Sequence, residues 1–234
     1  MAAPHLFTTR QLPLSSADDW RTVARALGAD QVVTLTQVHG ADVIAIRLGS
    51  EIPSGPPEAD VLVSNNPDAV LAVRAADCVP LLLADPGSGA VAAVHAGWRG
   101  TAAGAATAAV NALSREFGAR PEHLIAAIGP SIGPCCYEVG SELVDAFAAA
   151  GHPRHLIDRW FVSQPPPRGS RERNTLRLDV AGANRDQLVL AGVAEEHIHI
   201  AGLCTAMHLD VLTSFRAEKE RAGRIAGVIK SRAD

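Results

Sequence analysis

Three residues of this chain have side chains suited to a soft-to-borderline metal ion: His39 in "TQVHG", Cys78 in "AADCVP" and His95 in "VHAGWRG". Two imidazoles and one thiolate suit zinc, and three protein ligands leave a fourth position for water or substrate. Zinc held this way lowers the pKa of its water towards neutrality and polarises a substrate oxygen or nitrogen. The three lie far apart in sequence, unlike the ligands of a zinc finger, so spacing leaves other readings open. Cys78 can be a buried core thiol and His95 a hydrogen-bonded strand-end histidine. Without metal, Cys78 can also be a nucleophile with His95 as its base.

The stretch "GWRGTAAG" (97–104) also has two readings. Glycines ahead of a helix let an anion approach its free backbone N–H groups, with Arg99 adding charge. Alternatively, it is a tight strand-to-helix turn capped by Thr101. "IGPSIGPCCYEVG" (128–140) is punctuated by Gly and Pro and reads as an irregular rim. Adjacent side chains rarely reach one ion, so Cys135 and Cys136 are read as packing residues. "HIH" (197–199) puts two imidazoles on one face of a half-exposed strand.

These residues need elements to hold them. "SSADDWRTVARALG" reads as a helix, with serine caps, acidic first-turn residues and a closing Gly28. "TAAGAATAAVNALSREFG" reads as a second helix from Thr101 to Gly118, with "GSELVDAFAAAG" and "VAGANRDQLVLAG" as two more. Strand-like runs are "QVVTLTQV", "ADVIAIR", "DAVLAVRA", "VPLLLAD", "AVAAVHA", "LIAAIG", "HIHIA" and "RIAGVIK". Together they predict a mixed-sheet α+β fold. "VPLLLADPGSGAVAAVHAG" reads as a hairpin turning near Gly87, which sets Cys78 beside His95 or Ala96. "TLTQVHGADVIAIR" reads as a second hairpin with His39-Gly40 in its turn. The Pro-rich stretches 49–60 and 163–174 read as loops within one domain spanning 1–234.

A hydrophobic share of 47% with 20% charged residues describes an ordinary globular chain. The formal net charge of -4 gives no reason to expect nucleic acid or an anionic membrane as partner. The N-terminus lacks the pattern of a secretory signal, and no apolar run reaches bilayer length. Four cysteines, two of them adjacent, argue against a disulfide framework, so free thiols in the cytoplasm are expected. No feature of the pattern sets an oligomeric state.

Taken together, "TQVHG", "AADCVP", "VHAGWRG", "IGPSIGPCCYEVG" and "CT" (204–205) resemble the laccase-domain family. Its members were first labelled polyphenol oxidases and are now regarded as purine nucleoside phosphorylases. "FTTR", "LDVAGANRDQL", "SFR" and "GRIAGVI" extend the resemblance in order over nearly the whole chain. The resemblance implies a mixed β-sandwich core flanked by helices, and one zinc on His39, Cys78 and His95, with copper as the other candidate metal. It implies phosphorolysis of adenosine, inosine, guanosine and methylthioadenosine, adenosine deaminase activity, and for some bacterial members a link to peptidoglycan-precursor editing.

On that basis, phosphate has two candidate sites: Arg99 with Gly100 and Thr101, and Arg216 in "SFR". Asp77, next to Cys78, is a candidate to orient a histidine or move a proton, or else simply to cap its turn. Family members carry a glycine-rich "GGVS…Y.SLNL" segment after "FTTR"; this chain runs instead through "QLPLSSADDW" into its first helix, a change that bears on substrate preference. Three alternatives remain. A copper oxidase would need many more histidines than "HIH" supplies and an axial methionine from only Met1 and Met207. An editing hydrolase would use Cys78 and His95 without metal, and a binding protein would keep zinc without turnover.

Overall fold

The computed structural model describes residues 3–164 and 175–232. Most of the loop expected at 163–174 lies outside these residues. Strands β6 (Val79–Ala84) and β7 (Val91–Ala96) are apolar at nearly every position and buried along their whole length, as a strand covered on both faces must be. They form the antiparallel centre of a six-stranded sheet. β8 (Ile125–Ile128) and β12 (Ile198–Ile200) extend it on one side, and β4 (Val61–Ser64) and β3 (Val43–Ile46) on the other. The outer pairs β12–β8 and β3–β4 are parallel, so the sheet is mixed.

A four-stranded sheet packs against it in the order β1 (His5–Phe7), β13 (Ile225–Lys230), β5 (Val70–Ala75), β2 (Val32–Val33). Side-chain alternation divides the contacts. Leu82, Ala84, Val91 and Ala93 face Leu71, Val73 and Ile229 between the sheets. Leu81, Leu83, Ala92 and Val94 face outwards into a helical layer. Each leucine truncated to alanine here removes about 2–5 kcal/mol.

The outer face of the small sheet is covered by α1 (Ala17–Ala26), through Val23, Val70, Ala72 and Val228. Its start is a capping box: Asp19 N–H donates to Ser16 Oγ at 3.2 Å, and Ser16 N–H to Asp19 Oδ2 at 3.0 Å. The large sheet is covered by α3 (Ala105–Phe117), α5 (Arg154–Trp160) and α6 (Val180–Leu190), with α4 (Glu142–Ala149) beside them. The expected helix 101–118 is two helices, because Gly104, at φ 80°, separates α2 (Trp98–Ala102) from α3. A small sheet of β9 (Glu138–Val139), β11 (Thr175–Leu178) and β10 (Phe161–Gln164), and α7 (Phe215–Glu218), complete the elements. The fold is a mixed β-sandwich flanked by helices.

The second expected hairpin is absent. β2 pairs in parallel with β5 and β3 in parallel with β4, so the segment through His39 crosses between the sheets. The cause is the partners of its backbone: Thr36 bridges Glu58, and the N–H groups of Val38 and Gly40 bond Asp60 rather than a facing strand.

Candidate functional site

The β6–β7 hairpin closes with Asp85 N–H donating to Ala90 O at 2.8 Å and Gly89 N–H to Asp85 O at 3.0 Å. Val79 therefore pairs with Ala96 and Pro80 with His95, one residue off the register expected from a turn at Gly87. Cys78 falls just before β6 and faces Gly97 just after β7. A Cβ on Gly97 would lie 2.8 Å from Cys78 Sγ and 3.3 Å from His39 Cδ2, so glycine makes the room for both side chains.

His39 has φ 62°, a left-handed conformation that histidine adopts more readily than most residues. Two neighbours hold it there. Asp60 Oδ2 accepts the N–H groups of Val38 (3.1 Å) and Gly40 (2.6 Å). The Gln37 amide clasps β5, donating to Arg74 O and accepting from Arg74 N–H, each at 2.8 Å.

Asp60 Oδ1 lies 2.7 Å from Nδ1 of the buried His95, which leaves Nε2 for the cavity side. The His39 and His95 rings meet edge to face with centroids 4.9 Å apart. Ligand atoms of His39, Cys78 and His95 all lie within 4.8 Å of one another. Burial opposes the Cys78 thiolate, but hydrogen bonds from His39 and His95 outweigh it and bring the thiol down to about 7. Burial likewise opposes charge on His95, yet Asp60 and Cys78 raise it to about 9. Asp60 remains below the usual carboxylate range: its own burial is outweighed by the bonds from His95 and Gly40. Without metal the group is a thiolate–imidazolium–carboxylate chain that runs inwards from the partly buried Cys78 to the buried His95 and Asp60. The donor set also fits zinc or copper, with Asp60 fixing the tautomer of one ligand from behind.

The trio lies on the wall of a cavity of about 630 Å³. Arg74, Arg216 and Arg224 bring positive charge to it, and Tyr137 and Phe215 bring aromatic surface. Burial and then the Cys78 charge push the Tyr137 phenol up to about 12, so it keeps its proton. Arg216 stands 5.2 Å over the Tyr137 ring and donates to Glu138 O at 2.8 Å.

Asp77 lines the cavity at φ 86°, but the carboxylate on His95 belongs to Asp60. Asp77 accepts from Thr205 Oγ1 and from Arg216 N–H, both at 2.6 Å, and so ties the turn to two later segments. The anion site expected at Arg99, Gly100 and Thr101 does not form part of the cavity. Gly100 is packed so closely that a Cβ would come within 3.0 Å of Gly40 O. Thr101 is fully buried and accepts from Asn184 Nδ2 at 2.9 Å, while Arg99 stacks 4.4 Å over Trp98. "HIH" lies at the β12 edge, away from the cavity lining.

Sequence reasoning missed Asp60, whose one signal is an acid directly before the apolar run "VLV". It also missed Arg74, Arg224, Tyr137 and Phe215, and the approach of Cys135 and Cys136 to Cys204.

A helix-flanked β-sandwich with a His–Cys–His group on an arginine-rimmed cavity defines the class. Residues 8–232 match the family model described as multi-copper polyphenol oxidoreductase laccase, and the chain belongs to that family. It is 38% identical over 249 aligned positions to a Deinococcus radiodurans protein named purine nucleoside phosphorylase, covering 98% of this chain and 89% of that one. It is 32% identical over 213 positions to purine nucleoside phosphorylase YlmD of Geobacillus stearothermophilus, covering 88% and 74%. The crystal structure of that YlmD superposes with a TM-score of 0.81 at 29% identity, over 99% of this chain and 92% of the other. YfiH of Bacillus licheniformis gives 0.81 and 29%, over 92% and 80%.

Proposed function

We propose that the chain, as one domain spanning 1–234, is a zinc-dependent purine nucleoside phosphorylase. It takes adenosine, inosine, guanosine or methylthioadenosine with phosphate to the free base and a pentose 1-phosphate. It also deaminates adenosine, water adding at C6 and ammonia leaving. The observation that carries this reading is one cavity in which the His39–Cys78–His95 group, three arginines and two aromatic rings meet. The names of the Deinococcus and Geobacillus relatives support it.

In phosphorolysis a phosphate oxygen bonds to ribose C1′, the C1′–N9 bond breaks, and the purine leaves with the electron pair and takes up a proton. Arg74, Arg216 and Arg224 suit the phosphate, through charge-assisted hydrogen bonds. Tyr137 and Phe215 offer flat apolar surface to the base, and the protonated Tyr137 hydroxyl is a hydrogen-bond donor beside it. When bound, zinc supplies Lewis acidity towards a substrate oxygen or nitrogen. Asp60 holds the Nδ1 proton of His95 and keeps that ring in one orientation. Among the described residues no helix is long and apolar enough to cross a membrane. The free thiols suit a reducing compartment, and the cytoplasm is the one we propose.

The test is chromatography of adenosine incubated with zinc-replete protein, with and without phosphate, beside His95→Ala. Adenine formed only with phosphate, and lost in the variant, is the expected result. Inosine formed regardless of phosphate makes deamination the main reaction. Untouched adenosine overturns both for this substrate.

The Cys78–His95–Asp60 chain favours a second reading, a cysteine hydrolase of the kind a peptidoglycan-editing enzyme would be. Activity that survives zinc removal and ends on alkylation of Cys78 would support it.

A further inference from the structure

A second group of sulfurs lies outside the cavity just described. Segment 133–137 folds as a tight turn in which the N–H groups of Cys136 and Tyr137 both donate to Gly133 O at 3.0 Å. The turn lies against 203–205 through a parallel bridge between Ser131 and Cys204. In it, Ser131 N–H donates to Leu203 O at 3.3 Å and Thr205 N–H to Ser131 O at 3.0 Å. Backbone bonds thus bring two cysteines adjacent in the chain to a third about seventy positions away. The sulfurs of Cys135, Cys136 and Cys204 all lie within 4.8 Å of one another. Cys135 and Cys136 are expected to pack; the structure adds that both sulfurs converge on Cys204.

The surroundings are those of a ligand set. Gly133 N–H donates to Cys204 Sγ at 3.3 Å, a bond that steadies charge on sulfur. Arg177 donates to the carbonyl of Cys135 and braces the turn from outside. Cys204 is buried, whereas Cys135 is exposed, and both line a separate cavity of about 420 Å³ that gives an ion a way in. Zinc–sulfur bonds of about 2.3 Å put tetrahedral ligand sulfurs about 3.8 Å apart, so the trio needs to contract by about 1 Å at most.

We propose that Cys135, Cys136 and Cys204 form a second metal site, a three-thiolate site for one soft d10 cation, Zn2+ or Cu+. Three sulfurs without an imidazole select such ions over harder ones. The cation binds as the three thiols release their protons and clamps the 133–137 turn to 203–205. Each segment continues directly into the first site: Tyr137 follows Cys136 and lines the active cavity, and Thr205 follows Cys204 and bonds Asp77. The clamp therefore also stiffens one wall of that cavity. The proposal stands apart from the phosphorylase reading, because it concerns only sulfur ligands and their ion.

The test counts metal in reduced, full-length protein. The protein is loaded with Zn2+, freed of loose ion by gel filtration and measured by elemental mass spectrometry. Wild type is expected to retain two equivalents, Cys204→Ser and Cys135→Ser one each, and Cys78→Ser one. With Co2+ as a spectroscopic probe, the thiolate-to-metal band per ion is expected to be stronger in Cys78→Ser, where three sulfurs bind, than in Cys135→Ser, where only Cys78 does. A parallel anaerobic titration with Cu+ against a copper(I) chelator distinguishes the two ions. Cys204 is buried, so Cys135→Ser, altered at an exposed position, decides the matter if Cys204→Ser fails to fold. If neither ion leaves an equivalent that Cys135→Ser loses and Cys78→Ser keeps, the proposal is overturned.

Discussion

Asp60 Oδ1 and His95 Nδ1 lie 2.7 Å apart in the interior, and the second oxygen of the same carboxylate holds the loop that carries His39. One fully buried acid therefore positions two of the three converging side chains from behind. Asp60→Asn keeps the shape but offers a single acceptor oxygen where three donors converge. Either a loop N–H loses its acceptor or the His95 proton moves from Nδ1 to Nε2, the nitrogen on the cavity side. Metal affinity is expected to fall about 10–100-fold, read by competition with a chelator, together with a lower Tm. Unchanged affinity would remove Asp60 from this positioning role.

The metal-free protein should show a pH signature at Cys78. Its folded pKa, about 7, is below the 9.0 of an ordinary thiol. Its contribution to stability is thus complete above pH 9 and lost as pH falls through 7. His95 runs the other way, about 9 against 6.5. Its contribution is complete below pH 6.5 and lost as pH rises through 9. The two slopes cancel: folded and unfolded chains each release one proton near 6.5–7 and one near 9, so this pair leaves the stability of the metal-free fold nearly independent of pH, and its signature is which group holds the proton. Iodoacetamide modification of Cys78, followed by peptide mass spectrometry, is expected to rise with a midpoint near 7. A midpoint near 9 would rule the pairing out.

The outcome at Cys78 and His95 shows what was legible in the sequence. A strand–turn–strand pattern is local, so "VPLLLADPGSGAVAAVHA" brought the cysteine and histidine together to within one residue of register. The slip arises because the turn closes on the Asp85–Ala90 pair rather than symmetrically about Gly87. His39 was found as a loop residue but assigned to a hairpin, because period-two patterning cannot tell which sheet a strand joins. β2 and β3 look alike in sequence and lie in different sheets. Asp60, Arg224 and the Cys204 partnership depend on contacts between distant segments, which carry no local periodicity. Thr101 reads as a helix start because the glycines before it hide the short helix α2, in which it is the fourth residue, buried with its hydroxyl on Asn184.

Among the cavity arginines, Arg224 is the cleanest probe of the phosphate reading. Among the described residues its Nη1 bonds only nearby backbone carbonyls, Ala222 O at 3.1 Å and Gly223 O at 2.7 Å, whereas Arg216 is woven into Asp77 and Glu138. A hydrogen bond to a charged partner contributes about 1.5–3 kcal/mol, so Arg224→Ala should raise the KM for phosphate roughly 10–100-fold. The KM for nucleoside should change much less. Initial-rate kinetics with each substrate varied in turn would show the split, and an equal rise in both would place Arg224 outside the phosphate site.

Gly97 offers the sharpest test of the three-residue group, because nothing there depends on charge. Its backbone is in an ordinary extended conformation, φ -73° and ψ 179°, so alanine brings no backbone strain. The added methyl would lie 2.8 Å from Cys78 Sγ, roughly 0.7 Å inside normal contact, and 3.3 Å from His39. The sulfur has to move away from the two imidazoles. Overpacking of this kind costs about 1–3 kcal/mol, small enough for the fold to survive. Activity should fall by about 100-fold, as a shift approaching 1 Å in a reacting group can cause. Metal retention should fall with it, and the midpoint for Cys78 alkylation in metal-free protein should climb towards 9 as its hydrogen bonds are lost. Gly55→Ala, where a Cβ meets nothing within 4 Å, is the matched control and should leave all three unchanged. Full activity and metal content in Gly97→Ala would mean that catalysis does not depend on the close approach of Cys78 to the histidines.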